Sequence, residues 1–91
     1  MSDERNSTFK RKIVLTNDVG LHARPAAQFV KTAAKFRSAV KVLKGETEAN
    51  GRSITSILFL DARNGDEITI VAEGEDAREA VEALTRLANE F

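Results

Sequence analysis

An α+β fold is predicted, a two-layer open-faced sandwich in which a four-stranded antiparallel sheet is covered on one face by three helices. Three observations point there. The 91 residues, 42% hydrophobic and 31% charged, suffice for one core, since a chain of this length buries roughly 60–65% of the surface it exposes when unfolded. The hydrophobic period switches between two and 3.6 in the order strand, helix, strand, strand, short helix, strand, helix. Turn residues punctuate these segments, and no repeat, low-complexity tract or linker interrupts them, so the elements share one sheet with the helices on a single face.

Residues 1–8 are small, polar or charged and cannot bury enough apolar area to offset the entropy of ordering, so they form a floppy lead-in to a domain spanning 9–91. Phe9, Arg11, Ile13 and Leu15 alternate with Lys10, Lys12, Val14 and Thr16 as in a strand, which Asn17-Asp18-Val19-Gly20 closes. From Ala23 the period lengthens: Ala23, Ala26, Ala27, Val30, Ala33 and Ala34 form a helical stripe, with Pro25 in the first turn where a missing amide costs least. Ala39 to Leu43 is a second strand, and Lys44-Gly45-Glu46 turns into a short third around Thr47 to Ala49, broken by Asn50-Gly51. Ser53 to Leu60 is apolar enough for a buried strand, but Ile54, Ile57 and Leu58 sit at helical spacing behind a capping Ser, and a short helix is predicted. Asn64-Gly65 turns into the strand Glu67 to Glu73. Asp76 and Glu79 stand at capping-box spacing before the last helix, whose stripe is Ala77, Ala80, Val81, Leu84, Leu87, Ala88 and Phe91.

Composition excludes several function classes. Without Cys there is neither a disulfide framework nor a thiolate metal site, and a single His leaves no His-rich metal centre. Fourteen basic and fourteen acidic residues give 14 − 14 = 0, and Tyr and Trp are absent. Nucleic acid is therefore not an expected partner. No apolar run approaches the roughly 20 residues of a membrane span, and the N-terminus is polar, so a cytoplasmic monomer with no membrane insertion and no cofactor is expected. The five Phe are expected in the core. The acidic stretches Asp61 to Glu67 and Glu73 to Asp76 are read as solvated loop faces without metal-ligand order.

One constellation carries chemistry. Gly20-Leu21-His22-Ala23-Arg24-Pro25-Ala26 sets the only imidazole at the mouth of a helix. A helix N-terminus offers unpaired N–H groups and a positive dipole end, so an anion at His22 could take the amides of Ala23 or Arg24, while the Arg24 guanidinium suits phosphate oxygens. Dipole and cation both disfavour imidazolium, which leaves a nitrogen lone pair able to attack phosphorus. On the residues alone this is an anion site with a nucleophile, or a solvated polar residue at a helix start.

The run Gly20-Leu21-His22-Ala23-Arg24-Pro25-Ala26-Ala27-Gln28-Phe29-Val30-Lys31 resembles the active-site signature of the HPr family, histidine phosphocarriers of the bacterial phosphoenolpyruvate-dependent phosphotransferase system. The likeness extends from Phe9 to Phe91 and implies the βαββαβα order read above. The Leu58-Phe59-Leu60-Asp61 stretch is also similar to the nitrogen-related NPr branch. The resemblance implies a stoichiometric carrier, not an enzyme, in which His22 accepts phosphate on Nδ1 from Enzyme I and passes it to Enzyme IIA domains while Arg24 braces the phosphoryl oxygens. It also implies that Ser53 is open to an ATP-dependent HPr kinase/phosphorylase, although a Ser there serves equally as an N-cap. Leu21, Ile54, Thr55 and Leu58 are expected to form a docking patch rimmed by Arg24, Lys31 and Arg52, with at least one of Ile54 and Leu58 also expected to pack in the core. Thr55 departs from the Met or Phe that many regulated members carry. A rival from another class is a regulatory docking module of NPr type, whose phosphorylation state controls sensor or transcriptional partners.

Overall fold

The computed structural model describes residues 7–91, so most of the expected lead-in, residues 1–6, lies outside the described residues. Strand β1 spans Thr8–Val14, helix α1 Ala23–Ala33, β2 Ala39–Lys44, β3 Thr47–Asn50, α2 Ile54–Leu60, β4 Glu67–Glu73 and α3 Ala77–Glu90. The strands form one antiparallel sheet in the order β1-β4-β2-β3. This is the predicted βαββαβα sandwich.

Pairing begins slightly earlier than the sequence suggested. Thr8 faces Glu73, and the Gly74 N–H donates to the Ser7 carbonyl at 2.9 Å. In the register, Val42 stands opposite Ala49 on one side and Ile70 on the other. These residues, with Val40, Ile68 and Ala72, make the inner face of the sheet, fully shielded beneath Phe29, Ile57, Leu60, Val81 and Leu84 from the three helices. An apolar layer of this kind supplies most of the driving force for folding.

The helices correct three details of the expected pattern. In α1 the buried residues are Ala26, Phe29 and Ala33, while Ala23, Ala27 and Ala34 are exposed. A ring buries far more area than a methyl, so Phe29 sets the helix rotation and the alanine stripe does not. The ambiguous segment is helical: Ser53 is the N-cap of α2 and its hydroxyl accepts the Ser56 N–H at 3.2 Å. Ile57 and Leu60 enter the core, whereas Ile54, Leu58 and Phe59 are exposed, so neither Ile54 nor Leu58 packs inside and Phe59 is not a core Phe. At the head of α3 the expected capping box does not form. The Asp76 side chain makes no cap bond and instead accepts from the Arg37 N–H, the Ser38 N–H and the Ser38 hydroxyl. It ties the entrance of β2 to α3. Partial burial there opposes ionisation, but those donors outweigh it and hold the Asp76 carboxyl below its ordinary value of 3.8.

Two loops meet at one end of the sandwich. Leu15 exchanges backbone bonds with Asp66 and Gly65, and the Leu21 N–H donates to the Ala62 carbonyl at 2.9 Å. Gly20, at φ +63, lies so close that a Cβ would sit 2.2 Å from the Ala62 oxygen. Only glycine fits this contact, which lays the segment before α1 directly on the segment after α2.

Candidate functional site

The site is built where those two loops touch. His22 is the N-cap residue of α1, in extended conformation, and its side chain makes no cap bond. Its ring reaches across to the loop after α2, where Nε2 lies 3.0 Å from Oδ1 of Asp61. A carboxylate only accepts, so Nε2 carries the proton of this bond and the lone pair of a neutral ring resides on Nδ1. The side chain is 37% exposed, enough for a second protein to reach it.

Asp61 is positioned by the end of its helix. It is the C-cap of α2 in the left-handed conformation, φ 52, a geometry that short polar side chains adopt more readily than others. Its carboxylate is gripped by the Arg63 guanidinium, Nε at 3.2 Å from Oδ1 and Nη2 at 3.1 Å from Oδ2. Lys44 donates to the Asp61 carbonyl at 2.8 Å and pairs with Asp66 at 3.2 Å. The Arg63 hydrogen bond and charge, with the His22 bond behind them, hold the Asp61 carboxyl below its ordinary value against the opposing effect of desolvation.

Sequence reasoning missed Asp61 and Arg63, which were read as part of a solvated acidic loop. The signal available was an Asp immediately after an apolar helix, a C-cap position suited to the left-handed turn. The expected electrostatics of His22 are also incomplete, because dipole and Arg24 were set against imidazolium with no carboxylate in view.

The remaining expected residues divide. Ala23 opens α1 at φ 52 and is exposed, a strained conformation for a non-glycine residue that costs about 1–2 kcal/mol. Arg24 is exposed and takes part in no ion pair among the described residues. Leu21 is completely buried, so it anchors the loop and is not a docking residue. Ile54, Thr55 and Leu58 are all exposed, so the expectation that Ile54 or Leu58 enters the core fails. Phe59, 82% exposed, joins Thr55 and Leu58 around one shallow depression and was overlooked. Arg52 does not rim the patch as expected; its guanidinium donates to the carbonyls of Phe36 and Ser38 and braces the turn before β2. Ser53 caps the far end of α2, about 12 Å along the helix from Asp61 at 1.5 Å per residue. A groove along β2 and β3 includes no residue of the His22 cluster. Among the described residues no group of three or more His, Asp or Glu could hold a metal ion, and no helix is long and apolar enough to cross a membrane.

Residues 9–90 match the family described as PTS-HPr, the PTS HPr component phosphorylation site. The chain belongs to the HPr family. It is similar to phosphocarrier protein HPr of Neisseria meningitidis, 40% identical over 90% of this chain and 92% of that protein. The crystal structure of HPr-C-His from Thermoanaerobacter tengcongensis superimposes with a TM-score of 0.87 at 42% identity, covering 89% of this chain and 91% of that one. Part of the phosphoryl donor subunit DhaM of a dihydroxyacetone kinase from Providencia stuartii is 40% identical over 82% of this chain, a stretch amounting to 16% of that protein. Phosphocarrier function in the phosphotransferase system is thus the activity of this HPr-family chain, and the Gly20 to Lys31 resemblance identified the family correctly.

Proposed function

We propose that His22 is the phosphoryl acceptor and that it takes the group on Nδ1. The observation that carries this is the engagement of Nε2 by Asp61, which leaves the nucleophilic lone pair on the other nitrogen of a ring open to a partner. The donor is the phosphohistidine of Enzyme I and the recipients are Enzyme IIA domains, in the cytoplasm, with the monomer acting as a stoichiometric carrier. The likeness to a phosphoryl donor subunit supports the outward step.

In acceptance, the lone pair attacks phosphorus while the donor P–N bond breaks and returns its electrons to the donor ring. Arg24, exposed beside His22, turns its guanidinium onto the phosphoryl oxygens, and the Ala23 and Arg24 N–H groups at the open first turn of α1 add donors. Neither group buries the phosphate, so the next acceptor can approach in line. Ile54, Thr55 and Leu58, extended by Phe59 toward the Asp61 end of α2, form the docking patch. Ser53 is the regulatory site of an ATP-dependent kinase. Its hydroxyl now caps α2, and a phosphate there would keep an acceptor at the helix start while adding negative charge to the docking face.

Incubation with phosphoenolpyruvate, magnesium and Enzyme I, followed by intact mass, tests the carrier role. One acid-labile, base-stable phosphoryl group is expected, absent in His22→Ala. An unchanged mass with competent Enzyme I from the same organism overturns it. For Ser53, an acid-stable, ATP-dependent phosphate lost in Ser53→Ala is expected; no such species with a competent kinase restricts Ser53 to capping.

A further inference from the structure

Among the described residues, the Asp61 carboxylate is the charged group paired with the His22 ring, and it is held for that contact from three directions. Its backbone is fixed as the left-handed C-cap of α2, its carboxylate plane by both ends of the Arg63 fork, and its carbonyl by the Lys44 amine. The loop bearing it is locked to the His22 loop through Gly20 and the Leu21 to Ala62 hydrogen bond. We propose that Asp61 is a positioning residue for phosphoryl transfer, keeping His22 in the Nε2–H form and stabilising the positive charge the ring acquires when Nδ1 bonds to phosphorus. This rests on His22 being the acceptor.

The electron balance shows why a carboxylate matters at that nitrogen. When Nδ1 gives its lone pair to phosphorus, the donor P–N bond releases its pair to the donor ring, and no proton moves on His22. The ring, still carrying its Nε2 proton, becomes cationic. The Asp61 carboxylate faces that proton at 3.0 Å, so an ordinary hydrogen bond becomes an ion pair as the new bond forms. Interactions that strengthen toward the transition state accelerate a step. On the outward transfer the Nδ1–P pair returns to the ring, and because Nε2 has kept its proton the leaving group is neutral imidazole and not an imidazolate. Arg63 limits the effect to a useful size, since its own bonds to both carboxylate oxygens share the charge that the ring sees.

Two substitutions separate charge from architecture. Asp61→Asn keeps an acceptor oxygen and suits the left-handed cap; Asp61→Gly suits the backbone and removes the side chain. Both are expected to fold, checked by circular dichroism. With Enzyme I as donor, the maximal rate of phosphorylation should fall about 10- to 100-fold in each, the range that loss of a charge-assisted hydrogen bond implies, with the KM for the partner unchanged. Imidazole 15N shifts of the unphosphorylated protein should show the Nε2–H tautomer in wild type and a mixture in Asp61→Gly. If the wild type is phosphorylated at His22 while both variants keep its maximal rate, the role assigned to Asp61 is wrong and the carrier site stands. If His22→Ala accepts phosphate as well as wild type, the site itself is wrong.

Discussion

Replacing Gly20 by Ala tests whether the contact between the two loops holds the site together, and Gly45 provides its control. The two glycines have nearly the same backbone, φ +63 and φ +59, but differ in surroundings: a Cβ at Gly45 meets nothing within 4 Å, while one at Gly20 would lie 2.2 Å from the Ala62 oxygen and 2.7 Å from the Arg63 Cα. The left-handed conformation costs an alanine about 1–2 kcal/mol at either position, partly offset by the lower entropy of the unfolded chain. Gly45→Ala should therefore destabilise by no more than about 1 kcal/mol. At Gly20, ordinary contact at 3.4 Å requires the 62–63 backbone to retreat by 3.4 − 2.2 = 1.2 Å. That movement breaks the hydrogen bond from Leu21, a buried residue, to Ala62, and a buried group left without a partner costs about 1–3 kcal/mol. The sum for Gly20→Ala is about 1–4 kcal/mol, or roughly 4–30 °C in Tm for a domain of this size. Urea and thermal unfolding followed by circular dichroism measure both variants, and phosphorylation rate should fall with Gly20→Ala because His22 and Asp61 part. If Gly20→Ala unfolds within about 0.5 kcal/mol of Gly45→Ala and transfers phosphate normally, the loop contact does not organise the site.

Phe59→Ser should change stability by less than about 0.5 kcal/mol, because the ring is 82% exposed, yet raise the KM for a partner protein severalfold; an unchanged KM removes Phe59 from the docking surface. Asp76→Ala should cost about 1–3 kcal/mol in urea unfolding, since it strips acceptors from two backbone amides and a hydroxyl. Loss confined to the helix, with the turn at Ser38 still protected from amide exchange, would contradict the tie between α3 and β2. Acid should destabilise the fold through the same groups. Asp61, Asp66 and Asp76 all titrate below their ordinary value of 3.8 when folded, so the stability they contribute is complete above that value and lost as pH falls through the folded values. The urea midpoint should drop below about pH 4, and a midpoint flat down to pH 2 would contradict those shifts.

Much of this was legible in the chain because local and tertiary preferences agree. The strand Glu67–Glu73 appears with the expected bounds, as its alternation matches the inner and outer faces of a central strand. The helix beginning at Ile54 was recoverable from a capping Ser and the spacing of Ile57 behind it. The side of a helix that faces inward was harder to read. Alanine stripes carry little area, so α1 turned on Phe29, and in α2 five apolar candidates compete for a core that takes Ile57 and Leu60. The family signature singled out His22 as the proposed acceptor. Its partner Asp61 is 39 residues away, and their meeting depends on a glycine contact between loops, which period and composition do not encode. Asp76 shows the same limit: its spacing to Glu79 suits a capping box, but donors at Arg37 and Ser38 compete for its carboxylate and win.

The most direct measurement is 15N and 31P NMR of the protein phosphorylated through Enzyme I, with the His22 ring labelled. The phosphoryl group should show one-bond coupling to Nδ1 of His22, with Nε2 protonated and facing Asp61. Phosphorus coupled to Nε2, or attached to a residue other than His22, would contradict the site as built.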